Sequence, residues 1–216
     1  LERTIVSNER YYRAVDLATE AHNGQVRKKS GLPYITHPMR VAHLCGIFCP
    51  TLEKSIRETI PGEPFRGGAL CSDLMAVCLL HDVLEDTEVT EDEIADRLGP
   101  SEETDDIIIM VKLLTKRDDE SKDDYLSRVV DHSPLAVHLK ILDRIDNIRD
   151  ATATYGTNAL RRYLIGTSTF MQMVTERWAS LVNEPTYQML GKYVFHAFDR
   201  VLKDDVHAFA SASEDD

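Results

Sequence analysis

The sequence predicts an all-α fold, a compact helical bundle, and three observations carry that prediction. Apolar residues recur at helical spacing along most of the chain, while few segments alternate with the period of two that a strand requires. Helix boundary signals punctuate it: Thr90 with Glu93 as a capping box, Ser133-Pro134 ahead of a long apolar stripe, and Gly99-Pro100 as a stop. Composition agrees, since 43% apolar and 29% charged residues in a chain of 216 describe a globule able to bury a core. A single domain is expected over residues 1–205, followed by a polar tail, 206–216, expected to be disordered.

The first helix is expected over about Glu9 to His22, with Tyr12, Val15 and Ala18 on one face and Asn23-Gly24 closing it. A basic loop follows, Arg27-Lys28-Lys29-Ser30-Gly31, and then Pro33-Tyr34-Ile35-Thr36-His37-Pro38, in which Pro38 suits the first position of a second helix. Between residues 50 and 72 the periodicity weakens, and Pro61, Gly62, Pro64 and Gly67-Gly68 mark an expanded loop or insertion. Asp73 is placed to cap a helix through Leu74–Leu80 that is apolar on every side and therefore buried. Further helices are expected after Thr90, from about Asp105 to Lys116, from Pro134 to about Arg149, and near 157–182 and 185–203.

Charge restricts what such a bundle does. With 37 acidic against 25 basic side chains the net charge is −12, which argues against binding nucleic acid through a broad basic face. A phosphate-bearing ligand would need a local basic patch or a metal ion to offset that field. The longest apolar run, Leu74 to Leu80, is far short of the roughly 20 residues a membrane span needs, so no membrane partner is expected. Cys45, Cys49, Cys71 and Cys78 lack the spacing of a zinc knuckle and read as small hydrophobes in a reducing compartment. No cationic stretch followed by an apolar run opens the chain, so the cytoplasm is the expected location.

Chemistry concentrates in three places. His81-Asp82-Val83-Leu84-Glu85-Asp86-Thr87 sets four ionisable groups directly after a buried helix, where charges must be paired, hydrogen-bonded or metal-bound. His37, at a helix start beside Pro38, would by itself read as a cap or surface residue. Asp143 shares a stripe with Lys140, Arg144 and Asn147, and periodicity alone reads that stripe as a solvated face. Together, His37, His81, Asp82 and Asp143 make a two-histidine, two-carboxylate set that suits manganese, iron or zinc, with positions left for water and a phosphate oxygen.

Three stretches carry a family resemblance: Gly31-Leu32-Pro33-Tyr34-Ile35-Thr36-His37-Pro38, His81-Asp82-Val83-Leu84-Glu85-Asp86-Thr87, and Leu139–Arg149 with its Asp143-Arg144-Ile145-Asp146-Asn147 centre. In order and approximate spacing the chain resembles, over about residues 8 to 200, the HD-type hydrolase domain of the RelA/SpoT alarmone enzymes, most closely the free-standing small alarmone hydrolases. The resemblance implies an HD-domain helical bundle. It also implies one manganese ion (Mn2+) per chain held by His37, His81, Asp82 and Asp143. Glu85 and Asp86 match the acidic pair that orients and deprotonates the attacking water. Arg27, Lys28 and Ser30 match the loop that holds guanine and phosphates, and Asn147 a contact to the sugar. The implied reaction removes the 3′-pyrophosphate of guanosine tetra- or pentaphosphate, giving GDP or GTP and pyrophosphate.

The chain departs from the family in four respects. The loop between Gln25 and Ser30 is one residue longer than usual, and segment 50–72 is expanded. Asp146 and Asp150 stand where histidine and threonine are usual, and two added acids near a polyphosphate would weaken or re-aim its contacts. No synthetase half accompanies the hydrolase stretch. The same metal chemistry on NADPH or an adenosine alarmone, an antitoxin role included, stays open, as does a catalytically silent nucleotide-binding domain; intact Glu85-Asp86 argues against the last. A small-molecule substrate is the expected partner, and a homodimer is compatible with the sequence.

Overall fold

The computed structural model describes residues 2–28, 30–57, 65 and 71–212, with side chains described for 9–28, 30–49, 65 and 71–205. The described residues fold into α-helices without a strand, apart from one antiparallel bridge between Val26 and Pro33. In chain order the helices are α1 (Glu2–Ala21), α2 (Thr36–Arg57), α3 (Cys71–Leu80), α4 (Val83–Asp86), α5 (Glu91–Leu98), α6 (Glu102–Leu114), α7 (Lys122–His132), α8 (Pro134–Thr154), α9 (Thr157–Arg177) and α10 (Pro185–Ala212). A 3-10 turn, Ala179–Asn183, joins the last two.

The buried α3 is the axis of the bundle. It packs against α1, α2 and α6, while α2 also packs against α8, and α8 against α10. One hydrophobic cluster runs through all of them, from Ala14 to Val201. Capping chemistry sets several boundaries: Thr90 accepts from the Glu93 N–H, Ser101 from Thr104, Ser121 from Asp124 and Ser133 from Ala136. Gly99 closes α5 at a φ of 86°, a left-handed value that disfavours other residues.

Several boundaries differ from those the sequence predicts, for physical reasons. Helix α2 begins at Thr36, which puts Pro38 at the third helical position; its missing N–H still falls among the first four, which have no acceptor within the helix. Asp73 does not cap α3 but lies in its first turn, buried, where it takes the Arg10 guanidinium at 3.0 Å. Helix α7 has no counterpart in the sequence reading. Helix α2 runs through Arg57 into the stretch read as a loop, and 58–64 and 66–70, with most of that expansion, lie outside the described residues. Helix α10 continues to Ala212, past the start of the tail read as disordered, through an alanine-rich stretch of good helix propensity; 213–216 lie outside the described residues.

Candidate active site

Four side chains from three segments meet at the end of α3. His37 is placed by the turn that opens α2, where its N–H donates to the Tyr34 carbonyl at 2.9 Å. His81 and Asp82 occupy the break between α3 and α4, and Asp143 projects from the middle of α8. His37 Nε2 lies 3.1 Å from Asp143 Oδ1 and 3.5 Å from Asp82 Oδ2. His81 Nε2 lies 3.2 Å from Asp82 Oδ1 and 3.7 Å from Asp143 Oδ1. The ligand atoms of His37, His81 and Asp143 are within 4.8 Å of one another and could hold a metal ion, with Asp82 at the open edge of the group.

The donor set fits a cation. His81 Nδ1 faces the Cys78 carbonyl at 2.7 Å, an acceptor only, so Nδ1 carries the proton and Nε2 presents its lone pair. That Nε2 is buried and has no hydrogen-bond partner. His37 has the same design: Nδ1 sits 2.7 Å from Asp146, whose carboxylate is fixed by Arg40 at 2.6 and 2.9 Å. Without a cation the carboxylates hold protons on the rings instead. Burial alone would lower His81, yet Asp82 and Asp143 raise it to about 9, and His37 is raised in the same way. Burial likewise pushes Asp143 up, but Lys140 at 2.7 Å and the two imidazoles bring it well below the usual carboxylate range.

Beyond the group lies a cleft of two chambers. The inner one, about 330 Å³, is lined by His37, Asp82 and Asp143, by Glu85 and Asp86, and by cations from two helices and two loops. The outer one, about 460 Å³, is lined by Gln25, Val26, Lys28, Asp150 and Tyr155. Arg27, Tyr34, Asp86 and Asn147 line both and form the partition. The Tyr34 hydroxyl is 2.8 Å from Asp82 and 2.6 Å from Asp86, with one proton to give between two carboxylates. Glu85 accepts from the Lys116 N–H at 3.0 Å, and burial raises its pKa.

In the partition Arg27 donates to Asn147 at 2.8 Å and to Asp150 at 3.2 Å, and its guanidinium sits 5.7 Å from the Tyr34 ring centre. Asn147 in turn donates to Asp143, so one amide ties the loop to the acidic centre. Lys28 is exposed at the outer chamber. Ser30 lines neither chamber, and its hydroxyl is buried without a partner. Asp146, read as an acid near the polyphosphate, is buried and directed at His37 and Arg40 instead; Asp150 does face the outer chamber. The stripe of α8 that periodicity reads as solvated faces the cavity: Asp143 and Arg144 are buried. Nothing in the local sequence marks Lys116 or Lys122 as site residues, and Tyr34 lies within Gly31–Pro38 without a role that the sequence assigns.

Fold and site define a helical domain built around a histidine–carboxylate group at the end of a buried helix that could hold a metal ion. No protein-family model matches the chain. It is 31% identical over 143 residues to the mouse guanosine-3′,5′-bis(diphosphate) 3′-pyrophosphohydrolase MESH1, and the match covers 63% of this chain and 66% of that protein. The human MESH1 gives the same identity and coverage. A protein of the same enzyme name from Aquifex aeolicus is 28% identical over 143 residues, 65% of this chain but 18% of its own length. The fold matches a solved structure described as a metazoan orthologue of SpoT that hydrolyses ppGpp, with a TM-score of 0.66 and 17% identity, over 87% of this chain and 94% of that one. The chain is thus similar in sequence to guanosine-3′,5′-bis(diphosphate) 3′-pyrophosphohydrolases and shares the fold of the SpoT orthologue.

Proposed function

We propose that this protein is a manganese-dependent hydrolase of guanosine tetra- and pentaphosphate that removes the 3′-pyrophosphate and leaves GDP or GTP. The observation that carries the reading is the meeting of His37, His81, Asp82 and Asp143 beside Glu85 and Asp86, in a cavity whose other walls are cationic. The relatives named for this reaction support the substrate.

His37, His81, Asp82 and Asp143 would hold the ion, which supplies charge neutralisation at the phosphates and acidifies a nearby water. Glu85, lifted by burial and oriented by the Lys116 N–H, takes the proton of the attacking water. The water oxygen bonds to the phosphorus next to the ribose 3′ oxygen. That phosphorus–oxygen bond breaks, the 3′ oxygen keeps the electron pair and takes a proton from solvent, and pyrophosphate leaves. Asp86 aims the water from the other side, held by Tyr34. Arg27 and Tyr34 present a planar cation and a ring to the purine at the chamber divide.

Asp150 favours a second reading. Paired with Arg27 at 3.2 Å, it draws away the guanidinium that would meet the purine and phosphates, so another nucleotide, such as an adenosine alarmone, is the alternative. Incubating guanosine tetraphosphate, its adenosine counterpart and NADPH separately with manganese and following phosphorus NMR decides between them. Pyrophosphate and GDP should form fastest; faster turnover of either other nucleotide would replace the guanosine reading.

A further inference from the structure

Besides Arg27 in the partition, four cations line the inner chamber: Lys116, Lys122, Lys140 and Arg144. Lys140 is neutralised by Asp143 at 2.7 Å. Lys122 and Arg144 are not: among the described residues neither pairs with a carboxylate. Arg144 is buried, its Nη1 donates to Thr167 at 3.1 Å, and its guanidinium lies 5.2 Å from the Phe170 ring centre. Its Nε–H is buried with no acceptor. Lys122, the first residue of α7, is close enough to Arg144 for that charge, after burial, to lower its pKa. Arg144 is buried without a counter-ion while Lys122, itself exposed, brings a second positive charge beside it, and an anion between them would offset both the desolvation of the guanidinium and the repulsion.

A glycine makes this arrangement possible. Gly166 lies in the interior of the 21-residue α9, where glycine is a poor choice. A Cβ at that position would come 2.9 Å from Lys122 Nζ and 3.7 Å from its Cε. A side chain there would force the flexible ammonium end of Lys122 to shift from its present position.

We propose that Lys122 and Arg144 form a subsite for the terminal phosphate of a bound diphosphate group, and that Gly166 is the opening through which Lys122 reaches it. This deepens the proposed function and rests on it: the group that fills the subsite is the far phosphate of the leaving pyrophosphate. The subsite selects a diphosphate over a monophosphate at the scissile position, because a single phosphate held at the acidic centre does not extend to it.

Calorimetric titration of the purified protein with inorganic pyrophosphate, and separately with orthophosphate, tests the subsite without turnover. The wild type should bind pyrophosphate at least about tenfold more tightly than orthophosphate, consistent with charge-assisted hydrogen bonds to the added phosphate. Lys122→Ala and Lys122→Gln should lose that preference with helicity and metal content unchanged. Gly166→Ala should lose it too while raising the melting temperature, since alanine favours the helix but displaces the ammonium. A merely structural Lys122 would not give that opposite pair of effects. Equal binding of the two anions by the wild type overturns the subsite, as does unchanged pyrophosphate affinity in the Lys122 variants. If Lys122→Ala failed to fold, Lys122→Gln would decide. A protein that binds pyrophosphate through Lys122 but leaves guanosine tetraphosphate intact would contradict the proposed function and keep the subsite; hydrolysis with an indifferent Lys122 would do the reverse.

Discussion

An imidazole that ligates a cation must present one nitrogen as a lone pair, and the group bonded to the other nitrogen decides which. For His81 that group is the Cys78 carbonyl; for His37 it is Asp146, itself fixed by Arg40. Asp146→Ala should therefore weaken metal binding about 10–100-fold with the helical fold kept, measured by competition against a chromogenic chelator. Wild-type affinity in that variant would remove Asp146 from the metal centre. In the proposed mechanism Glu85 acts on water and not on the ion. Glu85→Gln should keep metal content and cost about 10²–10⁴-fold in turnover; loss of metal would make Glu85 a ligand. At this scale the sequence was most informative where the chemistry is local. His81-Asp82 and Glu85-Asp86 lie within one short run, and His37 stands between threonine and proline. The partners of Asp146 were not legible, because His37 is 109 residues away and an acid on α8 carries no mark of the direction it faces.

Helices hold these residues in register, and two buried polar ties between elements have measurable consequences. Arg10 on α1 and Asp73 on α3 are 4% and 1% exposed, so removing Asp73 leaves the buried guanidinium with only the longer Glu103 contact at 3.9 Å among its described carboxylate partners. Asp73→Ala should cost about 3–5 kcal/mol in urea unfolding, and a cost under 1 kcal/mol would show that Arg10 finds other partners. His138 on α8 contacts Thr186 Oγ1 on α10 at 2.6 Å. Burial pushes its pKa down to about 4, with Glu184 offsetting part of the effect. Below the unfolded value of about 6.5 the unfolded chain binds a proton that the native protein refuses, so the contribution is full above pH 6.5 and is lost as pH falls toward 4. The loss should reach about 3 kcal/mol in the wild type and be largely absent in His138→Gln. Parallel losses in both would clear His138. Periodicity located α3, α5, α6 and α8 but not α7, although Ser121 with Asp124, and Tyr125, Leu126, Val129 and Val130, carry a cap and an apolar stripe. It also could not tell a face turned to a cavity from one turned to solvent, since both require polar side chains at helical spacing.

Across the whole molecule, a chain of net charge −12 gathers Lys116, Lys122, Lys140 and Arg144 into one chamber, next to an acidic group that suits a cation. The all-α fold follows from helical periodicity, and the proposed ligand set from motifs in order along the chain. The cationic wall does not, because it is assembled from α7, α8 and the loop after α6 only when the bundle closes. No described helix is long and apolar enough to cross a membrane. The most direct test of the metal-dependent reaction is to strip the protein with a chelator and add manganese back in steps. Bound metal by mass spectrometry and pyrophosphate released from guanosine tetraphosphate would be measured at each step, with His81→Ala alongside. Turnover should rise in proportion to bound metal, stop at one ion per chain, and stay absent in His81→Ala while its helical spectrum is kept. Turnover by the stripped protein, or by His81→Ala at the wild-type rate, would contradict a reaction centred on His37, His81, Asp82 and Asp143.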